Sequence, residues 1–251
     1  MIIGLVTLII SLFGGGSLEV FYIDNIEKGV DKYVTDKDRK KELHLYFKEY
    51  QKINKSWNKG KAKDIKELKK QNLDRAVSIG WYEDFFKKRL DQTAEIQAEF
   101  IDYRINIQNA INDEEWAQII DLASSSEVKE QEKAEKQANK KKGKDLMDDL
   151  RQIADENIVD PDSKRKIEAA WNILKEKYDV LVETYEQINV EDNEVLVNKN
   201  ASVEEMEAIV VKLGSIRTKL YEAYVDFIIV SKDNMSYEEY KSIMKEVDKL
   251  I

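Results

Sequence analysis

Adjacent carboxylates are the side chains in this chain with the most obvious chemical potential. Two of these pairs are Glu114 with Glu115 and Glu238 with Glu239. Glutamates on facing helices can hold two iron ions, but such sites also require Glu-x-x-His motifs on two of the helices. His44 is the chain's only histidine, so that site cannot be completed. We therefore expect neither a metal nor another cofactor.

Helix capping accounts for one glutamate of each pair. A Ser, Thr, Asp or Asn followed three residues later by Glu forms a capping box, in which both side chains bond to backbone N–H groups. Three such pairs are Asn112 with Glu115, Ser202 with Glu205, and Ser236 with Glu239. Asp160 precedes Pro161, which is well placed at the first position of a helix. These pairs predict helix starts.

The cysteine and histidine content and the absence of nucleotide-binding motifs exclude the common catalytic sites. There is no cysteine, so disulfides, thiolate nucleophiles and cysteine-bound metals are ruled out. His44 stands in ELHLYFKEY, where we interpret it as a structural or surface histidine on a helix. No HExxH, GxGxxG or GxxxxGK[ST] motif is present. We expect the protein not to be an enzyme.

Residues 1–23 form an apolar segment at the start of the chain. Its only side chains outside the apolar, aromatic and glycine set are Thr7, Ser11, Ser17 and Glu19. A helix of this length spans roughly 30 Å, the thickness of a hydrocarbon core. We predict a single-pass transmembrane anchor. Small residues allow close packing between membrane helices, so we expect the anchor to contact other membrane subunits through Gly4, Gly14, Gly15 and Gly16.

Two other interpretations of this segment stay open. In the first, the apolar run to Phe13 is a secretory signal that is cleaved near Ser17, although no Lys or Arg precedes the run. In the second, Glu19 is an intramembrane charge of an ion-coupling subunit, since ionisable groups within membranes are commonly functional. Otherwise Glu19 lies at the water interface, little more than one helical turn before Asp24.

Two sequence signals give opposite orientations across the membrane for the rest of the chain. Six basic residues come soon after the anchor: Lys28, Lys32, Lys37, Arg39, Lys40 and Lys41. The positive-inside rule would place them in the cytoplasm. They alternate with acidic residues, however, and an uncleaved N-terminal anchor commonly exports the rest of its chain. We expect a protein of the inner (cytoplasmic) membrane with a periplasmic body, and cytoplasmic orientation remains the alternative.

The composition of the body is that of long amphipathic helices. Charged residues make up 36% of the 251 residues, and there are one proline and nine glycines. The formal net charge of −9 argues against a nucleic-acid partner, because phosphate binding needs an excess of Lys and Arg. Apolar stripes recur at helical spacing, and we assign them and the tryptophans Trp57, Trp81, Trp116 and Trp171 to the core.

An internal repeat divides the body. At an offset of 124 residues, as from Trp116 to Tyr240, FIDYRINIQNAINDEEWAQII (100–120) aligns with YVDFIIVSKDNMSYEEYKSIM (224–244). The same offset aligns VTDKDRKK (34–41) with IVDPDSKR (158–165) without a gap. The predicted fold is therefore all-α: an N-terminal transmembrane helix followed by two tandem, internally duplicated helical-bundle units, at 24–123 and 148–251.

A polar segment, 124–147, separates the two units. It contains almost no large apolar residue before Leu146, so it is either a solvated helix or a disordered linker. Its basic cluster could form an interaction surface for anionic lipid or an acidic partner: Lys140, Lys141, Lys142 and Lys144.

These features predict a non-catalytic function. We expect a membrane-anchored helical scaffold or accessory subunit of a bacterial envelope membrane protein complex, with protein partners bound by the helical body. The alternatives are a secreted or periplasmic chaperone-like or ligand-binding protein with a cleaved signal, and the ion-coupling subunit that uses Glu19.

Overall fold

The computed structural model describes residues 23–123, 152, 154–191 and 193–250. Within these ranges the chain is helical and contains no β-strand, which confirms the predicted all-α class. The polar segment 124–147 and the anchor, apart from Ile23, lie outside the described residues. Among the helices that the structure describes, none combines the length and apolarity needed to cross a bilayer.

The helices of the first half are α1 (Ile23–Tyr33), α2 (Lys37–Asn72), α3 (Ile79–Ala110) and α4 (113–123). Those of the second half are α5 (154–157), α6 (Pro161–Glu191), α7 (Asn193–Val197), α8 (Val203–Asn234) and α9 (Tyr237–Leu250). Each half thus contains a long helical hairpin, α2 with α3 and α6 with α8. At a rise of 1.5 Å per residue, α2 is about 54 Å long.

Side chains predicted to cap helices do so. The Asn112 side chain accepts from Glu115 N at 2.9 Å while Glu115 Oε2 accepts from Asn112 N at 3.3 Å. Matching pairs of bonds join Ser202 with Glu205 and Ser236 with Glu239, so all three predicted capping boxes are confirmed. Corresponding helices begin 124 residues apart: Lys37 with Pro161, Ile79 with Val203, and 113 with Tyr237.

Two apolar cores lie in the molecule, and each contains residues of both halves. Core A is built on α1–α4 and also includes Leu196, Ala201, Met206, Ile209 and Leu213. Core B is built on α5, α6, α8 and α9 and also includes Leu68, Tyr82 and Phe86. Tyr82 and Met206 stand at equivalent positions, 124 residues apart, and each is buried in the core of the other half. The two halves therefore pack as one body.

Helices α3 and α8 cross the centre of this body in antiparallel orientation. Near the start of α3, Phe86 stacks on Tyr221 with ring centroids 4.5 Å apart. Near its end, Gln108 Nε2 donates to Ala201 O at 3.0 Å, just before α8 begins. Because the start of one helix lies beside the end of the other, exchanged side chains such as Tyr82 can reach the opposite core.

Three tryptophans lie in the cores, as predicted: Trp57 and Trp116 in core A and Trp171 in core B. Trp81 is only partly buried, and it stacks on Phe85 with ring centroids 5.0 Å apart while packing against core B. It stands in the first turn of α3, where one side of the helix remains open to solvent.

Candidate functional site

The interaction and membrane residues predicted from the sequence lie outside the described residues. These are Gly4, Gly14, Gly15, Gly16, Glu19, Lys140, Lys141, Lys142 and Lys144. The structure therefore places none of them. His44 is described: its Nε2 lies 3.1 Å from Asp31 Oδ1, and its ring meets Phe47 edge-on. It stands partly exposed on α2, in agreement with the interpretation as a structural or surface histidine.

At the first junction between the halves, first-half side chains bond to the carbonyls at the end of α7. Arg104 donates to Leu196 O at 2.8 Å and Trp116 Nε1 donates to Val197 O at 2.8 Å. The Arg104 guanidinium also donates to Gln108 Oε1 and lies over the Trp116 ring, 4.2 Å from its centroid. Burial lowers the pKa of Arg104 to about 9. Neutral acceptors and an aromatic face surround this cation.

The second junction repeats part of this pattern with different residues. Lys232 Nζ donates to Val77 O, and Gln108 Nε2 donates to Ala201 O. Lys232 is 124 residues after Gln108, and Ala201 is 124 residues after Val77. At each junction, a side chain of one half thus bonds to an equivalent backbone carbonyl of the other half. Burial also lowers the pKa of Lys232, since desolvation disfavours its charged form.

Beside the second junction, a partly buried carboxyl group lies near Asn72 and two tyrosines. Asn72 Nδ2 donates to Asp248 Oδ1 at 2.9 Å, which joins the end of α2 to α9. Burial raises the pKa of Asp248 to about 6, although the Asn72 hydrogen bond and the charge of Lys69 oppose the shift. Tyr224 and Tyr240 lie close enough for this carboxylate to raise their pKa values further above the effect of burial. We name this set the Asp248 cluster.

A polar groove opens at the surface above the first junction. It has a volume of about 530 Å³ and lies between the start of α2, the end of α3 and the loop after α7. We name it the α2–α3 groove, and its lining residues are Arg39, Glu42, Tyr46, Asn106, Asn109, Ala110, Ile111, Asn112 and Lys199. Because Lys199 belongs to the second half, the lining of the groove is complete only when the halves are assembled.

Ion pairs to the first turn of α4 hold both cations of the groove. Arg39 Nη2 lies 2.6 Å from Glu115 Oε1, and Lys199 Nζ lies 2.5 Å from Asp113 Oδ1. The Asp113 side chain is 89% exposed, so its pair with Lys199 is strongly screened by water. Glu42 accepts a hydrogen bond from the Tyr46 hydroxyl at 3.3 Å.

At the place in the second half that corresponds to this groove, a hydrogen bond between two side chains crosses the gap. Lys166, which corresponds to Glu42, donates to Asn234 Oδ1 at 2.8 Å, and Asn234 corresponds to Ala110. In the first half the small Ala110 side chain offers no such partner. The open groove is therefore a specific feature of the first half.

No protein family, curated protein or solved structure matches this chain. The chemistry of the groove thus has to be read from its own residues. Sequence reasoning missed it, although one signal was present: Asn106, Asn109 and Asn112 recur at a spacing of three near the end of α3. Within the described ranges, no group of three or more His, Asp or Glu side chains could hold a metal ion.

Proposed function

We propose that this protein is a non-catalytic, membrane-anchored helical scaffold or accessory subunit of a bacterial envelope membrane protein complex. Residues 1–23 provide the tether, with Gly4, Gly14, Gly15 and Gly16 packed against helices of other subunits. The body is periplasmic and binds a protein partner. The sharing of both cores between the halves is the observation that carries the scaffold assignment.

Shared cores make the body suitable for holding surfaces in fixed positions. Tyr82 and Met206 are at most 1% exposed, and each lies in the core of the opposite half. Burial of such side chains contributes about 1.5 to 3 kcal/mol each, so separating the halves would expose several of them at once. A partner that binds residues of both halves, as the α2–α3 groove offers, therefore meets one preformed surface.

We also propose that the body arose by internal duplication. The equal spacing of three helix starts supports this, as do the capping boxes at Asn112 and Ser236 and the equivalent junction bonds of Gln108 and Lys232. The halves have since diverged at the groove and at the Asp248 cluster. Such divergence is expected where one copy has acquired a binding role.

Membrane fractionation of cells that express the tagged full chain tests the tether. We expect the protein to stay in the pellet after alkaline carbonate extraction and to be digested by protease added to spheroplasts. Release into the supernatant, or a mature N-terminus near Ser17 by mass spectrometry, would overturn the anchor and favour the secreted alternative.

Co-purification in mild detergent tests the partner. We expect a membrane subunit to co-purify in fixed ratio with the wild-type chain. Replacing Gly14, Gly15 and Gly16 by leucine keeps the segment apolar but removes its small face. This variant should remain in the membrane pellet and lose the subunit. If the wild-type chain purifies alone, the accessory-subunit role is wrong.

A further inference from the structure

The last turn of α9 lies against the end of α2 at the Asp248 cluster. Asn72, at the last position of α2, is fully buried, and its Nδ2 donates to Asp248 Oδ1 at 2.9 Å. Val247, next to Asp248, is buried in core B. Helix ends fray and open at a lower free energy than the middle of a packed helix. The contact of Asp248 with α2 therefore influences whether this turn stays closed.

The groups that face Asp248 come from four helices and are mostly neutral. Lys69 of α2 is the cation whose charge lowers the pKa of this carboxyl group. Three tyrosines feel its charge, one each on α3, α8 and α9, and all three are fully buried: Tyr82, Tyr224 and Tyr240. Among the described residues, Asn72 is the one side chain that donates a hydrogen bond to this carboxyl group. Enclosing the ionised form among these groups therefore costs free energy.

We propose that the last turn of α9 is a pH-sensitive latch, which closes against the end of α2 when Asp248 is neutral and opens more readily when Asp248 is ionised. Burial raises the pKa of Asp248 from 3.8 to about 6 in the closed state. The added stability of the closed turn is thus fully present below about pH 4 and is lost as the pH rises through 6. Opening would uncover Val247, so apolar surface becomes available there mainly at neutral pH.

The first half provides a matched control within the same chain. Helix α4 corresponds to α9, but Ser124 stands at the position equivalent to Asp248, and Leu196 stands at the position equivalent to Asn72. No titratable group therefore occupies the equivalent place. We expect the end of α4 to open equally at acidic and neutral pH.

Hydrogen–deuterium exchange of the full chain in mild detergent, followed by mass spectrometry of peptides, tests the latch. Exchange is measured at pH 5 and pH 7.5, and an unfolded reference at each pH corrects for the intrinsic pH dependence of the reaction. If opening returns the pKa of Asp248 to 3.8, the opening constant is about tenfold larger at pH 7.5 than at pH 5. The peptide from the end of α9 should show this change, and the peptide from α4 should not.

Three variants assign the titrating group. Asp248→Asn cannot ionise, so the end of α9 should be equally protected at both pH values. Lys69→Gln removes a charge that lowers the pKa of Asp248, so the midpoint of the opening curve should move to higher pH. Asp226→Asn, at an exposed position of α8, is the control and should keep the wild-type pH dependence. Circular dichroism checks that each variant is folded.

Several results would overturn the latch. Equal protection of the wild-type α9 end at both pH values would show that Asp248 does not control it. A tenfold change that persists in Asp248→Asn, or a midpoint that does not rise in Lys69→Gln, would assign the titration to another group. A parallel change at α4 would show a general loss of stability instead of a local opening.

Discussion

Replacing Asp248 by asparagine should stabilise the protein at neutral pH. Its carboxyl group is half-buried beside Asn72 and two tyrosine hydroxyls, and burial raises its pKa from 3.8 to about 6. At pH 7.5 the group is ionised in both the folded and the unfolded chain, so the folded state bears the full cost of the enclosed charge. Asparagine is neutral and nearly isosteric, and its Oδ1 can still accept from Asn72 Nδ2.

The pKa shift sets the size and the pH range of the effect. A rise from 3.8 to about 6 corresponds to about 3 kcal/mol at ~1.4 kcal/mol per pKa unit. Because the carboxyl is partly open to water, we expect about 1 to 2 kcal/mol. For a chain of this size that raises Tm by about 2 to 6 °C. The folded state binds the extra proton, so the penalty is full above pH 6 and disappears as pH falls towards 4.

Thermal unfolding followed by circular dichroism between pH 4 and 7.5 measures this difference. We compare Asp248→Asn with the wild-type chain at each pH, because other carboxylates change the stability of both proteins equally. The gain in Tm should be largest at pH 7.5 and vanish near pH 4. Asp226→Asn, at an exposed position of α8, is the control and should show no gain. A gain that is absent at pH 7.5, or that grows on acidification, would refute the reasoning.

Three further changes test packing. Gly29→Ala would place a Cβ 2.7 Å from Ile119 Cγ2 and should lower the free energy of unfolding in urea by about 1 to 3 kcal/mol. Gly214→Ala meets nothing within 4 Å and should raise it by about 0.5 to 1 kcal/mol. Changes of the same sign in both variants would contradict this reasoning. Arg104→Ala leaves carbonyl acceptors at the first junction unbonded and should cost about 3 kcal/mol; an unchanged urea midpoint would count against it. A protease site inserted within 124–147 allows the chain to be cut between the halves. After cleavage, both halves should elute in one gel-filtration peak, because each core contains residues of both. Two separate peaks would disprove shared cores.

Local chemistry explains which parts of the fold could be predicted. A cap depends on residues three apart, so the boxes at Asn112, Ser202 and Ser236 are visible in the sequence and fix helix starts. Apolar spacing likewise shows which face of a helix is buried, as for Leu213 and Leu220 on α8. Neither signal depends on where the rest of the chain lies.

Periodicity shows that a helix face is buried, but it does not show which part of the chain packs against that face. Tyr82 and Met206 look like ordinary core positions of their own helices, yet each lies in the opposite core. The groove escaped prediction for the same reason, since Lys199 and Asn109 line one groove only in the assembled halves. Asp248 could not be distinguished from surface aspartates, because its pKa is raised by burial that only the assembled fold provides.

The buried polar groups at the two junctions differ between the halves, which favours pairing of a first half with a second half. If the two halves were chemically equal, core A could accept the exchanged residues of another first half as readily as those of the second half. They are unequal: Arg104 stands where the second half has Ile228, and Gln108 stands where it has Lys232. A mispaired first half would leave the buried Arg104 without the Leu196 carbonyl, which costs about 1 to 3 kcal/mol or more for a charged group. Tethering of the halves in one chain favours the correct pair further, through its high effective concentration. The polar junctions thus specify a pairing that the apolar cores alone would leave open.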